Sequence, residues 1–174
     1  MPENKKSKSD LILEEVKARK SKKEKIVDVN EETVQFTVVT LKGSSFAFYG
    51  RDIKEILPYE KPTLIPGSSQ YIPGVVNVRG DIESVVDLSK FLGFPDLEPG
   101  AKTKILIAES EGIRSGILVD SVDDVADMPV SRIKPAISTL DKSIEDFVSG
   151  DLELKKGTAV IIDLAQVFKR LSDE

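Results

Sequence analysis

From Thr33 onward the chain is a succession of short runs rich in β-branched and aromatic residues, cut at close intervals by glycine-containing turns. Such runs fit a pleated, half-buried surface, and turns this frequent leave no room for long helices. Thr33 to Leu41 reads TVQFTVVTL, is turned by Lys42-Gly43-Ser44, and returns through Ser45 to Tyr49. Gly74 to Val78 and Ile82 to Leu88 flank Arg79-Gly80-Asp81, whose glycine permits a positive φ. Lys104 to Ala108 and Ile113 to Val119 form a further hairpin through Ser110, Glu111 and Gly112. Strands are also expected at Glu145 to Val148 and Thr158 to Ile162. Many short strands with brief helices predict small barrels rather than a βαβ sheet.

Two helices are expected within this β-rich body. Ile53, Ile56 and Leu57 recur at helical spacing and Pro58 ends that segment. At the far end Asp163 is a good N-cap, with Gln166 three residues on completing a capping box. Leu164, Val167, Phe168 and Leu171 make the apolar stripe of this last helix. Pro129 to Asp141 is expected to be irregular.

Charge divides the chain in two. Residues 1–25 hold nine basic and five acidic residues, a net of +4, while the remainder holds sixteen basic and twenty-five acidic, a net of −9. Residues 1–30 therefore read as a basic arm on an acidic body, residues 31–174. Leu11, Ile12, Leu13 and Val16 offer one short amphipathic turn, but Lys17 to Lys25 is almost wholly charged. So little apolar surface cannot offset the entropy of ordering, and the arm is expected to be disordered or only transiently helical. The initial Met1 and the capped last helix lead us to expect a self-contained chain.

Composition excludes several chemistries. The sequence has no His and no Cys, which removes Ser-His-Asp and Cys-His hydrolases, thiolate metal sites and phosphotransfer through a histidine. It contains neither G-x-x-x-x-G-K-[ST] nor G-x-G-x-x-G. Ser131-Arg132-Ile133-Lys134 matches S-x-x-K without its companion motifs, and a polar turn explains it better. Asp120, Asp123, Asp124 and Asp127 lack the glycine and terminal glutamate of a calcium loop and read as a solvated acidic edge. No metal, cofactor or catalytic residue is expected. No apolar run resembles a signal peptide or a membrane span, so stable membrane insertion is not expected and the cytoplasm is the expected compartment. Nor is nucleic acid an expected partner.

The stretch Tyr71 to Leu88, YIPGVVNVRGDIESVVDL, closely resembles the signature of the CheW-like domain, a G-[VI]-x-N-[LV]-R-G strand and turn followed by a strand ending V-[IV]-D-L. Asp52 to Leu57 with Leu64-Ile65-Pro66 lies upstream. Gly116-Ile117-Leu118-Val119-Asp120 with Val122 and Val125, then Val148-Ser149-Gly150 and Ile161 to Leu164, follow downstream in the family's order. The resemblance covers about residues 33–172. It implies a mainly β fold of two packed, loosely closed, five-stranded SH3-like barrels with short helices. It also implies a non-enzymatic adaptor at cytoplasmic receptor arrays. The implied partners are the signalling tips of chemoreceptors and the regulatory domain of the histidine kinase CheA. A CheW-like scaffold of another chemosensory-type pathway, such as pilus-driven motility, is the alternative.

Arg79 and Gly80 are the foremost candidate contacts. The guanidinium offers a planar fork of donors at a turn where Gly80 leaves room for a partner's backbone. The competing reading is an arginine paired internally with Glu55 or Asp81. Asn77 is expected to brace the turn through its side chain. By resemblance Glu55 and Ile53 match docking positions, against an ordinary helix with one buried and one solvated residue. Ile117 and Val119 line an inter-barrel groove or are simply core. Ser84 stands where the family commonly has proline, and Glu83 where an apolar residue is frequent.

Overall fold

The computed structural model describes residues 9, 11–17, 31–137 and 141–174. Residues 11–17 form a short helix, α1, with Leu11, Ile12, Leu13 and Val16 all more than half exposed. The remainder of the arm lies outside the described residues, so the expectation of disorder there is not addressed. The body opens with β1 (Thr33–Leu41), β2 (Ser44–Tyr49), a 3-10 turn at Gly50–Asp52 and β3 (Ile53–Pro58). There follow β4 (Gly74–Val78), β5 (Asp81–Asp87), α2 (Leu88–Phe91), β6 (Lys104–Ser110), β7 (Ile113–Val119) and β8 (Ser121–Pro129). A 3-10 turn at Val130–Arg132 leads to β9 (Ile133–Lys134), α3 (Lys142–Glu145), β10 (Val148–Glu153), β11 (Thr158–Ile162) and α4 (Leu164–Ser172).

These strands make two sheets, in the orders β8-β1-β2-β11-β10-β9 and β3-β6-β7-β5-β4. The chain starts the first sheet, leaves after β2 to build the whole second sheet, and returns to finish the first. The lobes are thus interlinked, and the first carries a sixth strand, the two-residue β9. Each sheet contains one parallel pair, β2 with β11 and β5 with β7.

Alternation explains why the central strands read as continuous apolar runs. On β1, Phe36 and Val38 point into the core of the first lobe, while Val39 and Leu41 point to a core shared between the sheets. On β6, Ile105 and Ile107 fill the second lobe and Leu106 and Ala108 the shared core. β11 divides Ala159 and Ile161 from Ile162 in the same way. One face of each such strand holds its own lobe and the other holds the lobes together. α4 closes the shared core with Leu164, Val167 and Phe168.

Three local expectations need correction, and the acidic run, a solvated edge as expected, is also a strand. Ile53 to Pro58 is a strand, not a helix: it pairs with β6, and its burial alternates so that Ile56, which supplied the helical spacing, is exposed. Glu145 belongs to α3, capped by Asp141 accepting from the Ser143 N–H, and the strand begins at Val148 and runs to Glu153. The acidic run is an edge strand, β8, in which Met128 alone is buried; its outward residues hide the alternation a strand should show. Asp163 does cap α4 by accepting from the Gln166 N–H, but its own N–H is donated to the Phe147 carbonyl rather than to Gln166.

Candidate interaction site

Arg79 and Gly80 are the two loop residues of the β4–β5 hairpin, with φ of 54° and 93°. Both values are positive, as a two-residue turn that continues the sheet twist requires. Lys42-Gly43 and Glu111-Gly112 turn the β1–β2 and β6–β7 hairpins in the same conformation, so backbone strain does not distinguish Arg79. Its partner does. Nη2 of Arg79 donates to Oε1 of Glu55 at 2.6 Å, and the arginine side chain remains 80% exposed against 23% for the glutamate. Asn77 Oδ1 accepts from the Gly80 N–H at 2.8 Å, bracing the turn as its residue type predicts.

The ion pair has a topological meaning. Glu55 is on β3 and Arg79 follows β4, the two terminal strands of the second sheet. Joining them spans the open seam of that half-barrel. Beneath the pair lies a groove of about 390 Å³ walled by Leu57, Tyr59, Val76 and Val78. The internal pairing and the partner-contact readings of Arg79 are therefore compatible, because a charge four-fifths exposed keeps donors free for a second acceptor.

Glu55 also lines a second, shallower groove of about 230 Å³ where the lobes meet, together with Gln35, Thr37, Ile53, Ile56 and Val125. Ile56 and Val125 are 38% and 47% exposed, an apolar strip left uncovered by the described residues, while Ile53 is half-buried against the shared core. Close by, burial raises the carboxyl pKa of Asp52 above its ordinary value, opposed by the Arg51 charge. The sequence reading placed neither Ile56 nor Val125 in the site. Val125 belongs to a recognised motif block, but its exposure follows from β8 being an edge.

Ile117 and Val119 are core residues. Both are wholly buried in the core between the sheets, so they offer no surface to a partner. The two departures at Glu83 and Ser84 are satisfied across the β5–β7 pair. Glu83, 8% exposed, accepts from Nε of Arg114 at 2.7 Å, and the Ser84 and Ser115 hydroxyls meet at 2.8 Å. Arg114→Ala should therefore destabilise the fold by about 1–3 kcal/mol, because it strands a nearly buried carboxylate. Glu83→Leu with Arg114→Leu should recover most of that loss, since apolar replacement of a buried pair is often neutral. Urea denaturation of the single and double variants checks this; equal losses would show that the pair itself holds the strands.

Comparison with known proteins agrees with this architecture. Residues 35–172 match the model of the CheW-like domain. The chain is 31% identical to the chemotaxis protein CheW of Bacillus subtilis over 79% of its own length and 88% of that protein's. It is 29% identical to the protein PilI of Pseudomonas aeruginosa, over 67% of its own length and 69% of that protein's. The scaffolding protein TtCheW of Thermoanaerobacter tengcongensis superposes with a TM-score of 0.68 at 27% identity, covering 75% of this chain and 89% of that one. With the β-rich double-lobed fold, the signature hairpin and these likenesses in agreement, the chain belongs to the CheW-like domain family of scaffold proteins.

Proposed function

We propose that this protein is a non-enzymatic adaptor that couples the signalling tips of chemoreceptors to the histidine kinase CheA, in the cytoplasm at receptor arrays. The observation that carries the reading is the placement of Glu55. It holds Arg79 across the barrel seam and also borders the apolar strip of Ile56 and Val125 between the lobes. An exposed apolar strip flanked by a carboxylate suits one face of a receptor helix. An exposed guanidinium over an apolar seam suits carboxylates and carbonyls on a folded partner such as the kinase's regulatory domain. Two adjacent surfaces on one rigid body let binding alone transmit a signal.

Adding the purified chain to its cognate receptor and kinase should raise receptor-dependent autophosphorylation. No stimulation, or ATP turnover by the chain alone, would sink the proposal. The likeness to PilI supports a second reading, a scaffold of another chemosensory-type system such as pilus motility. Stimulation of that system's kinase in preference to the chemotaxis kinase would favour it.

A further inference from the structure

The two lobes repeat one plan. Strands β1, β2, β8, β10 and β11 of the first correspond to β6, β7, β3, β4 and β5 of the second, with the same neighbours and the same parallel pair. The registers agree residue for residue. Val38 is paired with Asp124 as Ile107 is with Glu55, and each pairing follows an irregularity of one residue, at Asp123 and at Lys54. Ile161 is paired with Gly150 as Val85 is with Gly74, and a Cβ on either glycine would strike a neighbouring carbonyl oxygen, that of Lys134 or of Thr63. The β10–β11 hairpin closes through the Leu154 N–H and the Gly157 carbonyl, so Lys155 and Lys156 are its loop residues, where Arg79 and Gly80 turn β4 into β5.

This correspondence sets Asp124 in the place of Glu55 and Lys155 in the place of Arg79. In the second lobe the pair is joined and clasps the seam above a groove of about 390 Å³. In the first lobe, among the described residues, no ion pair joins Asp124 to Lys155, and both side chains are exposed. The groove between them is about 760 Å³. Asp123 and Asp127 add to its acidic wall on β8, and Lys156 to its basic rim at the hairpin loop. Its floor includes Ala126, Met128 and Leu154, which occupy the places of Leu57, Tyr59 and Val78. Charges on an edge strand guard against indiscriminate pairing, but that accounts for the acidic wall alone.

We propose that the ion pair the second lobe makes within the chain is made in the first lobe between two copies of it. A two-fold axis along the groove sets Asp124 of each copy against Lys155 of the other, so the contact forms twice and the two apolar floors meet between. The charge pattern selects this operation. A groove with one acidic and one basic wall is its own complement when turned about its length, whereas a two-fold axis across it sets like charges together. The surface used lies on the first lobe, apart from the Arg79 seam on the second.

Analytical ultracentrifugation of the full chain should show a dimer that weakens as salt is raised. Asp124→Lys and Lys155→Asp should each lower dimer affinity about tenfold or more, because one reversal sets like charges together at both symmetry-related contacts. Both positions are exposed, so each variant should keep its fold. Mixed in equal amounts, the two variants should form a heterodimer, in which both contacts again join opposite charges. A chain that is monomeric at every concentration, a dimer indifferent to either reversal, or a mixture that stays monomeric would each overturn the proposal. So would a monomer whose reversals instead weaken binding of the kinase's regulatory domain, which would give the seam to that protein.

Discussion

Arg79→Ala is expected to lower affinity for the receptor tip or the kinase regulatory domain about thirtyfold, or about 2 kcal/mol, while leaving the fold nearly intact. The two halves of that expectation have separate grounds. Folding should suffer little because the side chain is 80% exposed and its ion pair with Glu55 is largely solvated, a class of interaction worth about 0–1 kcal/mol. Binding should suffer much because an arginine held in place by a neighbouring carboxylate is ordered before it meets a partner, so less rotamer entropy is lost on docking. Arg79→Lys should rescue poorly, since an ammonium cannot serve Glu55 and a partner with one planar fork. Glu55→Gln should cost less than Arg79→Ala, because it loosens the guanidinium without removing it. Chemical denaturation and titration against both partners measure these quantities. Unchanged affinity for both would leave Arg79 as a clasp across the barrel seam and nothing more.

What the sequence conveyed depended on whether a residue's surroundings are local. Hairpins were legible because Lys42-Gly43, Arg79-Gly80 and Glu111-Gly112 each state their own turn. α4 was legible because its cap and stripe lie within one segment. β3 was misread because Ile56 is apolar yet faces outward, so the spacing of Ile53, Ile56 and Leu57 imitated a helix. β8 was overlooked because an edge strand whose residues are mostly charged and exposed shows no alternation, and only the β1 partner reveals it. Ile117 and Val119 were ambiguous for the opposite reason. Apolar strand residues look alike whether they face a groove or a second sheet, and here the second sheet buries them. The pairing of Arg79 with Glu55 joins residues on strands at opposite ends of a sheet order that no local pattern specifies.

Gly74→Ala should have the largest effect on stability of any single methyl group added to the signature segment, a loss of about 2–4 kcal/mol. Gly74 starts β4 with φ of 154°, and a Cβ there would sit 2.6 Å from the Thr63 carbonyl carbon and 3.0 Å from the Leu64 nitrogen. Those are backbone atoms, which cannot rotate aside as a side chain can. Thr63 and Val75 exchange two backbone hydrogen bonds, at 2.8 and 2.9 Å, so the added methyl must break that bridge or displace β4. For a chain of this size the loss corresponds to roughly 4–16 °C in melting temperature. Gly100→Ala is the control, because its Cβ would meet nothing within 4 Å, and it should change stability by less than about 0.5 kcal/mol. If the two variants melted alike, the close approach at Gly74 would not be what holds β4. The same variant reports on function. Thr63 anchors one end of a strap whose other end is fixed by the Asp87 N–H to the Tyr71 carbonyl, and the strap carries the exposed Leu64 and Ile65. A Gly74→Ala protein assayed well below its melting point should keep the Arg79 turn but release that strap. Partner binding that survives in it would confine the interaction surface to the two grooves that Glu55 borders, and binding lost without unfolding would extend that surface to Leu64 and Ile65.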